Sequence, residues 1–143
     1  MIGTLLLSTG NRPVGKTDGV SDMSRTAAEA AERYFQTWLA RDFAGFSEVL
    51  AENVHFSGPL AEISGREECV SSIRRLRELL QDIRVIHRFV DGDDVVTWFE
   101  LVIEGLDPIP VANWSHVSQG RIDRIQVVFD PRPMLQPSPG AQG

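Results

Sequence analysis

The sequence lacks several features that mark common classes of protein. It contains one cysteine, Cys69, so no disulfide can form within the chain, as is usual in a reducing cytoplasm. Lysine occurs once, at Lys16, and the net charge is -6, which argues against a nucleic-acid partner because phosphates need clustered basic side chains. No apolar run approaches the ~20 residues of a membrane span. We therefore expect a cytoplasmic protein that contacts neither nucleic acid nor membrane.

Hydrophobic periodicity is missing from both ends of the chain. Residues 1–23 are rich in glycine and small polar residues and predict a flexible leader, with Met23 as an alternative start of translation. Residues 10–17 fit the phosphate-loop pattern G-x-x-x-x-G-K-[ST], but the residues that follow do not begin the amphipathic helix such a loop requires. Residues 134–143 predict a disordered tail. The folded domain is therefore predicted to span residues 24–133.

The first half of this domain reads as three helices and one strand. Thr26 and Glu29 form a capping-box pair, after which apolar side chains, including the only tyrosine, Tyr34, recur at helical spacing. A short second helix is predicted over residues 42–51 and a strand over residues 54–57. A second capping box, formed by the first and fourth residues of the SGRE stretch, predicts a third helix over residues 64–80.

In the second half of the domain, apolar residues recur at every second position, which is the pattern of β-strands. Four strands are predicted, over residues 83–90, 95–103, 111–117 and 122–129. Three helices followed by an antiparallel meander predict an α+β domain in which the helices pack on one face of a curved sheet. Such a cone either fills with side chains or holds a small ligand.

This order of elements, together with three stretches of sequence, resembles a known family. The stretches are ERYFQTWLARDFAGFSEVLAENVHFSGP at residues 32–59, SGREE at residues 64–68 and QGRIDRIQVVFDP at residues 119–131. They are similar to the cone-shaped domains typified by nuclear transport factor 2, ketosteroid isomerase and the SnoaL polyketide cyclases. The resemblance implies a curved antiparallel sheet against three N-terminal helices. It implies no single activity, because the same fold supports enzymes and inert binding modules.

Comparison with ketosteroid isomerase assigns roles to three positions. The resemblance places Tyr34 on the oxyanion-hole tyrosine of that enzyme, and Asn113 on its second donor, an aspartic acid. Gly58 stands where the enzyme has its general-base aspartate. Two donors without a base can polarise a carbonyl group but cannot remove its α-proton. Position alone is equally consistent with a core tyrosine at Tyr34 and with a polar residue next to a turn at Asn113.

Two residues are candidates for the missing base. Glu100 lies on the outer face of its strand if the more apolar set, with Phe99 and Leu101, faces the cone, whereas a register shift of one residue would turn it inward. His87 carries the imidazole suited to proton transfer near neutral pH, with a hydrogen-bonded sheet histidine as the alternative. No histidine pair has metal-ligand spacing, so we expect no metal and no cofactor.

The remaining expectations concern the two faces of the sheet. Trp98, Trp114 and His116 are expected on the outer face, where an exposed apolar patch predicts a homodimer. A small hydrophobic ligand is expected inside the cone. The wall around that ligand is predicted to contain Phe35, Trp38, Phe56, Gly58, Phe99, Leu101 and Ser115.

Three functional hypotheses follow from the sequence. The first is a cofactor-independent isomerase or cyclase for a small carbonyl compound of polyketide or steroid type, in which Tyr34 and Asn113 stabilise an enolate while Glu100 or His87 moves the proton. The second is a ligand-binding or interaction module without catalysis, which Gly58 favours. The third is an epoxide hydrolase, which in this fold uses an arginine and two aspartates that the corresponding strands here do not show.

Overall fold

A computed structural model describes residues 24–135 of the 143-residue chain. The predicted leader, its phosphate-loop pattern and residues 136–143 of the predicted tail lie outside this range. Among the described residues no helix is long and apolar enough to cross a membrane. The helices are α1 (Ala27–Leu39), α2 (Phe43–Glu48), α3 (Arg66–Leu79) and α4 (Arg132–Leu135), and the strands are β1 (Leu50–Ser57), β2 (Glu62–Ser64), β3 (Leu80–Asp91), β4 (Asp94–Ile103), β5 (Ile109–Ser118) and β6 (Arg121–Val128).

The described strands form one six-stranded sheet in the order β2-β1-β6-β5-β4-β3. Strands β3 to β6 are an antiparallel meander, and β1 joins its far edge parallel to β6. Helices α1 and α3 pack against the sheet, and α2 packs against both of them. The predicted α+β class, with three N-terminal helices on one face of a curved sheet, is therefore confirmed.

The two predicted capping boxes have different outcomes. At α1, Thr26 Oγ1 accepts a hydrogen bond from the Glu29 amide at 3.1 Å, and Glu29 Oε1 accepts one from the Thr26 amide at 2.9 Å, so the first box is confirmed. The second box is wrong. The cap of α3 is Gly65, without a side-chain hydrogen bond, because Ser64 lies in β2 and its hydroxyl bonds to His55 at 3.2 Å.

Short segments account for the other differences from the predicted elements. Strand β2 has three residues, too few to show an alternating pattern, so it was not predicted from the sequence. Strand β1 begins at Leu50, inside the segment predicted as the second helix. At the other end, the chain forms one turn of helix over Arg132–Leu135, and Met134, placed in the disordered tail by the prediction, packs against the core.

Alternation along β4 defines the two faces of the sheet. Val95, Thr97, Phe99 and Leu101 are buried against the helices, and we call this side the inner face. Trp98 lies on the opposite side, the outer face, and is 41% exposed. The predicted register of this strand is correct, because burying the more apolar set of side chains stabilises it by ~1.5–3 kcal/mol for each large residue.

A buried arginine fixes the position of α1 over the inner face. The guanidinium of Arg77, on α3, donates to the carbonyl oxygens of Trp38 at 3.2 Å and Leu39 at 3.0 Å. It also donates to the carbonyl of Leu80 at 2.9 Å. Carbonyl groups at the end of a helix have no partner within the helix, so this cation satisfies them. The contact holds the end of α1 that carries Tyr34 and Trp38 against α3.

Candidate functional site

A cavity of about 200 Å³ lies between the helices and the inner face of the sheet. It exceeds the ~150 Å³ of an apolar cavity that is known to hold benzene. Residues 59–61, between β1 and β2, are exposed and belong to its wall, so they mark its mouth. The wall is mainly apolar and includes Trp38, Phe56, Phe99, Leu101, Val111 and Val127.

Three polar side chains form a buried network at this cavity. Tyr34 and Asn113 both belong to its wall and are 1% and 2% exposed, and the Asn113 side chain lies close enough to the Tyr34 phenol to lower its pKa. Ser115 lies two residues along β5, and its hydroxyl donates to Asn113 Oδ1 at 3.0 Å. Because Ser115 occupies the oxygen of the amide, the N–H₂ end of Asn113 is left to donate. The network therefore presents hydrogen-bond donors to the cavity.

The protonation state of Tyr34 follows from its burial. Desolvation raises the pKa of the phenol far above its ordinary value, the neighbouring Cys69 raises it further, and Asn113 lowers it by less. Tyr34 is thus a neutral donor rather than a proton acceptor. Burial also raises the pKa of the Cys69 thiol to about 12, so this side chain stays uncharged and is a poor nucleophile.

Most of the residues predicted for the cavity wall lie in it. Beyond the donors, these are Trp38, Phe56, Gly58, Phe99 and Leu101. Two residues predicted for the wall, Phe35 and Ser115, do not line the cavity. Phe35 packs edge-on against Phe99, with ring centres 4.9 Å apart, and its ring lies 5.7 Å from the Arg88 guanidinium rather than at the cavity. Ser115 is buried one layer behind the wall, where it orients Asn113.

Neither predicted base reaches the cavity. Glu100 lies on the outer face, opposite Arg84 on β3 and Pro110 on β5, because its neighbours Phe99 and Leu101 occupy the inner positions. A bulge between Val85 and His87 shifts the register of β3, so His87 also lies on the outer face, opposite Trp98. The structure therefore contradicts the hypothesis that either residue transfers a proton inside the cone.

The cavity wall, as far as residues 24–135 define it, contains no carboxylate and no imidazole. Within the same residues, no three histidine, cysteine or acidic side chains are grouped so that they could hold a metal ion. What the arrangement can do is donate hydrogen bonds to one ligand oxygen in surroundings that are otherwise mainly apolar. The wall residues Val111 and Val127 were not predicted, although Val111 shares the alternating face of Asn113, a signal the sequence carries.

A second polar cluster, which was not predicted from the sequence, lies on the outer face. It lines a groove of about 550 Å³, and Asp94 accepts hydrogen bonds there from His116 Nδ1 at 3.0 Å and Trp114 Nε1 at 3.1 Å. The groove collects side chains from β1, β4, β5 and β6. Only the strand register brings these together, so no local motif could have predicted the cluster.

A curved sheet closed by three helices around an apolar cavity defines the cone-shaped α+β class named after nuclear transport factor 2. Within this class, the sequence profile of the SnoaL-like domain matches residues 31–125, and the chain belongs to that family. A comparison with curated proteins gave no match.

Solved structures share the fold at low sequence identity. An NTF2-like protein of unknown function from Cytophaga hutchinsonii superposes with a TM-score of 0.70 at 23% identity, covering 78% of this chain and 96% of that one. A LEH-like epoxide hydrolase from M. tuberculosis superposes with a TM-score of 0.65 at 22% sequence identity, covering 76% of this chain and 85% of that one. A candidate ketosteroid isomerase from Kribbella flavida superposes with a TM-score of 0.63 at 21% sequence identity, covering 81% of this chain and 84% of that one. These likenesses show the fold.

Proposed function

We propose that this protein binds a small, mostly apolar molecule through one carbonyl oxygen, which accepts hydrogen bonds from Tyr34 and Asn113. The observation that carries the proposal is a buried donor network in a cavity whose wall is otherwise mainly apolar. The single cysteine, which cannot form an internal disulfide, supports a cytoplasmic location for this binding.

Two kinds of interaction in the cavity give the proposed binding its affinity and its selectivity. Apolar contact with the wall contributes roughly 25 cal/mol for each Å² of ligand surface removed from water. The buried donors add selectivity, because a ligand without an acceptor would leave them unpaired and lose ~1–3 kcal/mol. A carbonyl compound therefore binds more tightly than a hydrocarbon of the same shape.

A cofactor-independent isomerase or cyclase is the second candidate. The donor network supports it, because a neutral phenol next to an amide stabilises negative charge that develops on a carbonyl oxygen. The resemblance to ketosteroid isomerase and the likeness to a candidate isomerase of this fold also support it. Since the described wall has no carboxylate or imidazole, the proton acceptor would have to be water or the substrate itself. Epoxide hydrolysis is less favoured, because it needs charged residues that the wall formed by residues 24–135 lacks.

Binding is tested with a matched pair of ligands, 4-phenyl-2-butanone and butylbenzene, by titration calorimetry. We expect the ketone to bind more tightly, and Asn113→Leu to weaken the ketone about tenfold while leaving the hydrocarbon unchanged. The control is Asn53→Leu, which makes the same change on the exposed part of β1. Equal affinities of the wild-type protein for both ligands would overturn the proposal.

Catalysis is tested by incubating the same ketone with the protein in deuterated buffer. An enzyme that forms an enolate exchanges the α-protons, which NMR detects without knowledge of the natural substrate. Exchange faster than in buffer, lost in Tyr34→Phe, would favour the isomerase candidate. Tight binding without exchange would favour the binding module.

A further inference from the structure

Three chemically active side chains meet where β2 pairs with β1, outside the cavity wall. His55 on β1 stands directly opposite Ser64 on β2, and Glu62 lies two residues before Ser64 on the same face of β2. His55 Nδ1 lies 3.2 Å from Ser64 Oγ, and His55 Nε2 lies 3.1 Å from Glu62 Oε2. A hydroxyl, an imidazole and a carboxylate in this order are the three parts of an activated serine nucleophile.

The carboxylate decides which nitrogen of His55 carries the proton. An ionised carboxylate can only accept a hydrogen bond, so Nε2–H of the imidazole donates to Glu62. In the neutral imidazole Nδ1 is then unprotonated, and it accepts the hydrogen bond from the Ser64 hydroxyl. This is the tautomer that a general base needs in order to remove the proton of a serine.

The three side chains are open to solvent, so a substrate can reach the serine. The side chains of His55 and Glu62 are 41% and 71% exposed, and Ser64 is also an exposed residue. His55 belongs to the wall of the outer-face groove of about 550 Å³, which Trp114 lines as well. The groove therefore offers the rest of a small ester a surface beside the nucleophile.

Backbone donors for the negative charge that forms during acyl transfer follow Ser64 in the chain. After Gly65 the chain enters α3, and Gly65 caps this helix without a side-chain hydrogen bond. The first amides of a helix have no partner within it and attract negative charge. The carboxylates of Glu67 and Glu68 in the same turn oppose such a charge, so we expect a slow reaction rather than a fast one.

We propose that Ser64 and His55, positioned by Glu62, form a second catalytic site, which hydrolyses small esters. Ser64 Oγ attacks the carbonyl carbon of the ester and passes its proton to His55 Nδ1. As the bond from that carbon to the alcohol oxygen breaks, His55 gives the proton to the departing alcohol, and the acyl group stays on Ser64. Water then attacks the acyl group with His55 as the base, which releases the acid and restores the hydroxyl.

The test uses 4-nitrophenyl acetate as the substrate and a fluorophosphonate as the probe, because an activated serine displaces fluoride from the phosphorus of that probe. We expect the full chain to release nitrophenol faster than buffer alone and to carry the probe on Ser64, as located by peptide mass spectrometry. Ser64→Ala and His55→Asn should each lower kcat/KM about 100-fold. Glu62→Gln removes the charge beside the imidazole and should lower kcat/KM about tenfold.

Ser57→Ala and Glu52→Gln are the matched controls. Both residues lie on β1, and among the described residues neither hydrogen-bonds with His55. Ser57 is two positions along the strand from His55 and so shares its face, which makes it the nearest comparison for the hydroxyl of Ser64. Both control variants should keep the activity of the wild-type protein.

Three outcomes would overturn the proposal. They are hydrolysis no faster than in buffer, hydrolysis that Ser64→Ala leaves unchanged, and probe labelling of Ser57 as fast as that of Ser64. Any of them would mean that the three side chains only hold β2 against β1. Circular dichroism establishes that each variant is folded, and labelling of the wild-type chain needs no variant.

This site is independent of the proposed ligand binding in the cavity. Ser64 is not part of the cavity wall, so Ser64→Ala should bind 4-phenyl-2-butanone as tightly as the wild-type protein does. Loss of esterase activity with ketone binding retained would confirm that the two sites are separate. The two proposals can therefore fail separately.

Discussion

The inner and outer faces of the same strands use polar residues in opposite ways. On the inner face, Tyr34, Asn113 and Ser115 form a neutral network shielded from solvent. On the outer face, His116 and Asp94 form a partly exposed hydrogen-bonded pair at 3.0 Å. The difference shows where this fold permits charge. A lone carboxylate beside the cavity would pay a large desolvation penalty, whereas the outer face keeps charges near water and near opposite charges.

This separation bears directly on function. Strand β5 alternates between the two clusters, with Asn113 and Ser115 pointing inward and Trp114 and His116 pointing outward. The carboxylates and imidazoles of the strands therefore lie where no cavity ligand can reach them. The inner face retains hydrogen-bond donors, which under the proposed function would select and polarise a ligand but would not accept its proton.

The largest expected effect is on stability and comes from adjacent residues of β4. Phe99 is 2% exposed and lies edge-on to Phe35 and Trp38, with ring centres 4.9 and 6.0 Å apart. Phe99→Ala should lower the free energy of unfolding by ~3–5 kcal/mol, because it removes buried surface and leaves a cavity. Glu100→Ala should change it by less than ~0.5 kcal/mol. Urea denaturation measures both, and similar losses would contradict the assignment of the faces.

The next effect comes from adding a carboxylate to the inner face. Gly58 belongs to the cavity wall, and a Cβ added there would meet a Phe56 ring carbon at 3.4 Å and Val127 Cβ at 3.7 Å, which the site can accommodate. Gly58→Asp should accelerate deuterium exchange at the α-carbon of 4-phenyl-2-butanone ~100-fold, as a positioned general base does. Gly58→Asn is the control. If exchange stays unchanged while the ketone still binds, the donors do not activate a carbonyl.

Sequence reasoning predicted the framework better than the chemistry, for identifiable reasons. The Thr26 cap, the α1 stripe and the alternation of β4 are local patterns, and all of them are present in the fold. The bulge before His87 and the pairing of β1 with β6 arise from tertiary packing, which no local pattern encodes. Consequently, Tyr34 and Asn113 were placed together by family resemblance, whereas the groove around His116 was not anticipated.

A smaller effect tests how the inner network is held. Ser115→Ala frees the Asn113 oxygen, so the amide can rotate and turn its donor away. We expect ketone affinity to fall about threefold to tenfold and butylbenzene affinity to stay constant, because one buried hydrogen bond contributes ~1 kcal/mol. Ser118→Ala, at the exposed end of β5, is the control. If both ligands lost affinity equally, Ser115 would serve packing rather than orientation.

The smallest effect is a titration on the outer face. The hydrogen bond to Asp94 raises the pKa of His116 above its ordinary 6.5, helped by the charges of Asp123 and Asp93, while partial burial opposes it. Arg124, the neighbour on β6, also faces this ring. Because the folded-state pKa is the higher one, the stabilisation is complete below pH 6.5 and is lost as the pH rises through the folded value.

Asp94→Asn should move the His116 pKa back toward its ordinary value, since it removes the largest cause of the shift. Imidazole NMR measures this change. If the His116 pKa stays raised in Asp94→Asn, then the charges of Asp123 and Asp93 stabilise the protonated imidazole instead. The contact between His116 and Asp94 would then not determine the charge of the imidazole. The two faces of the sheet would differ only in how deeply their polar side chains are buried.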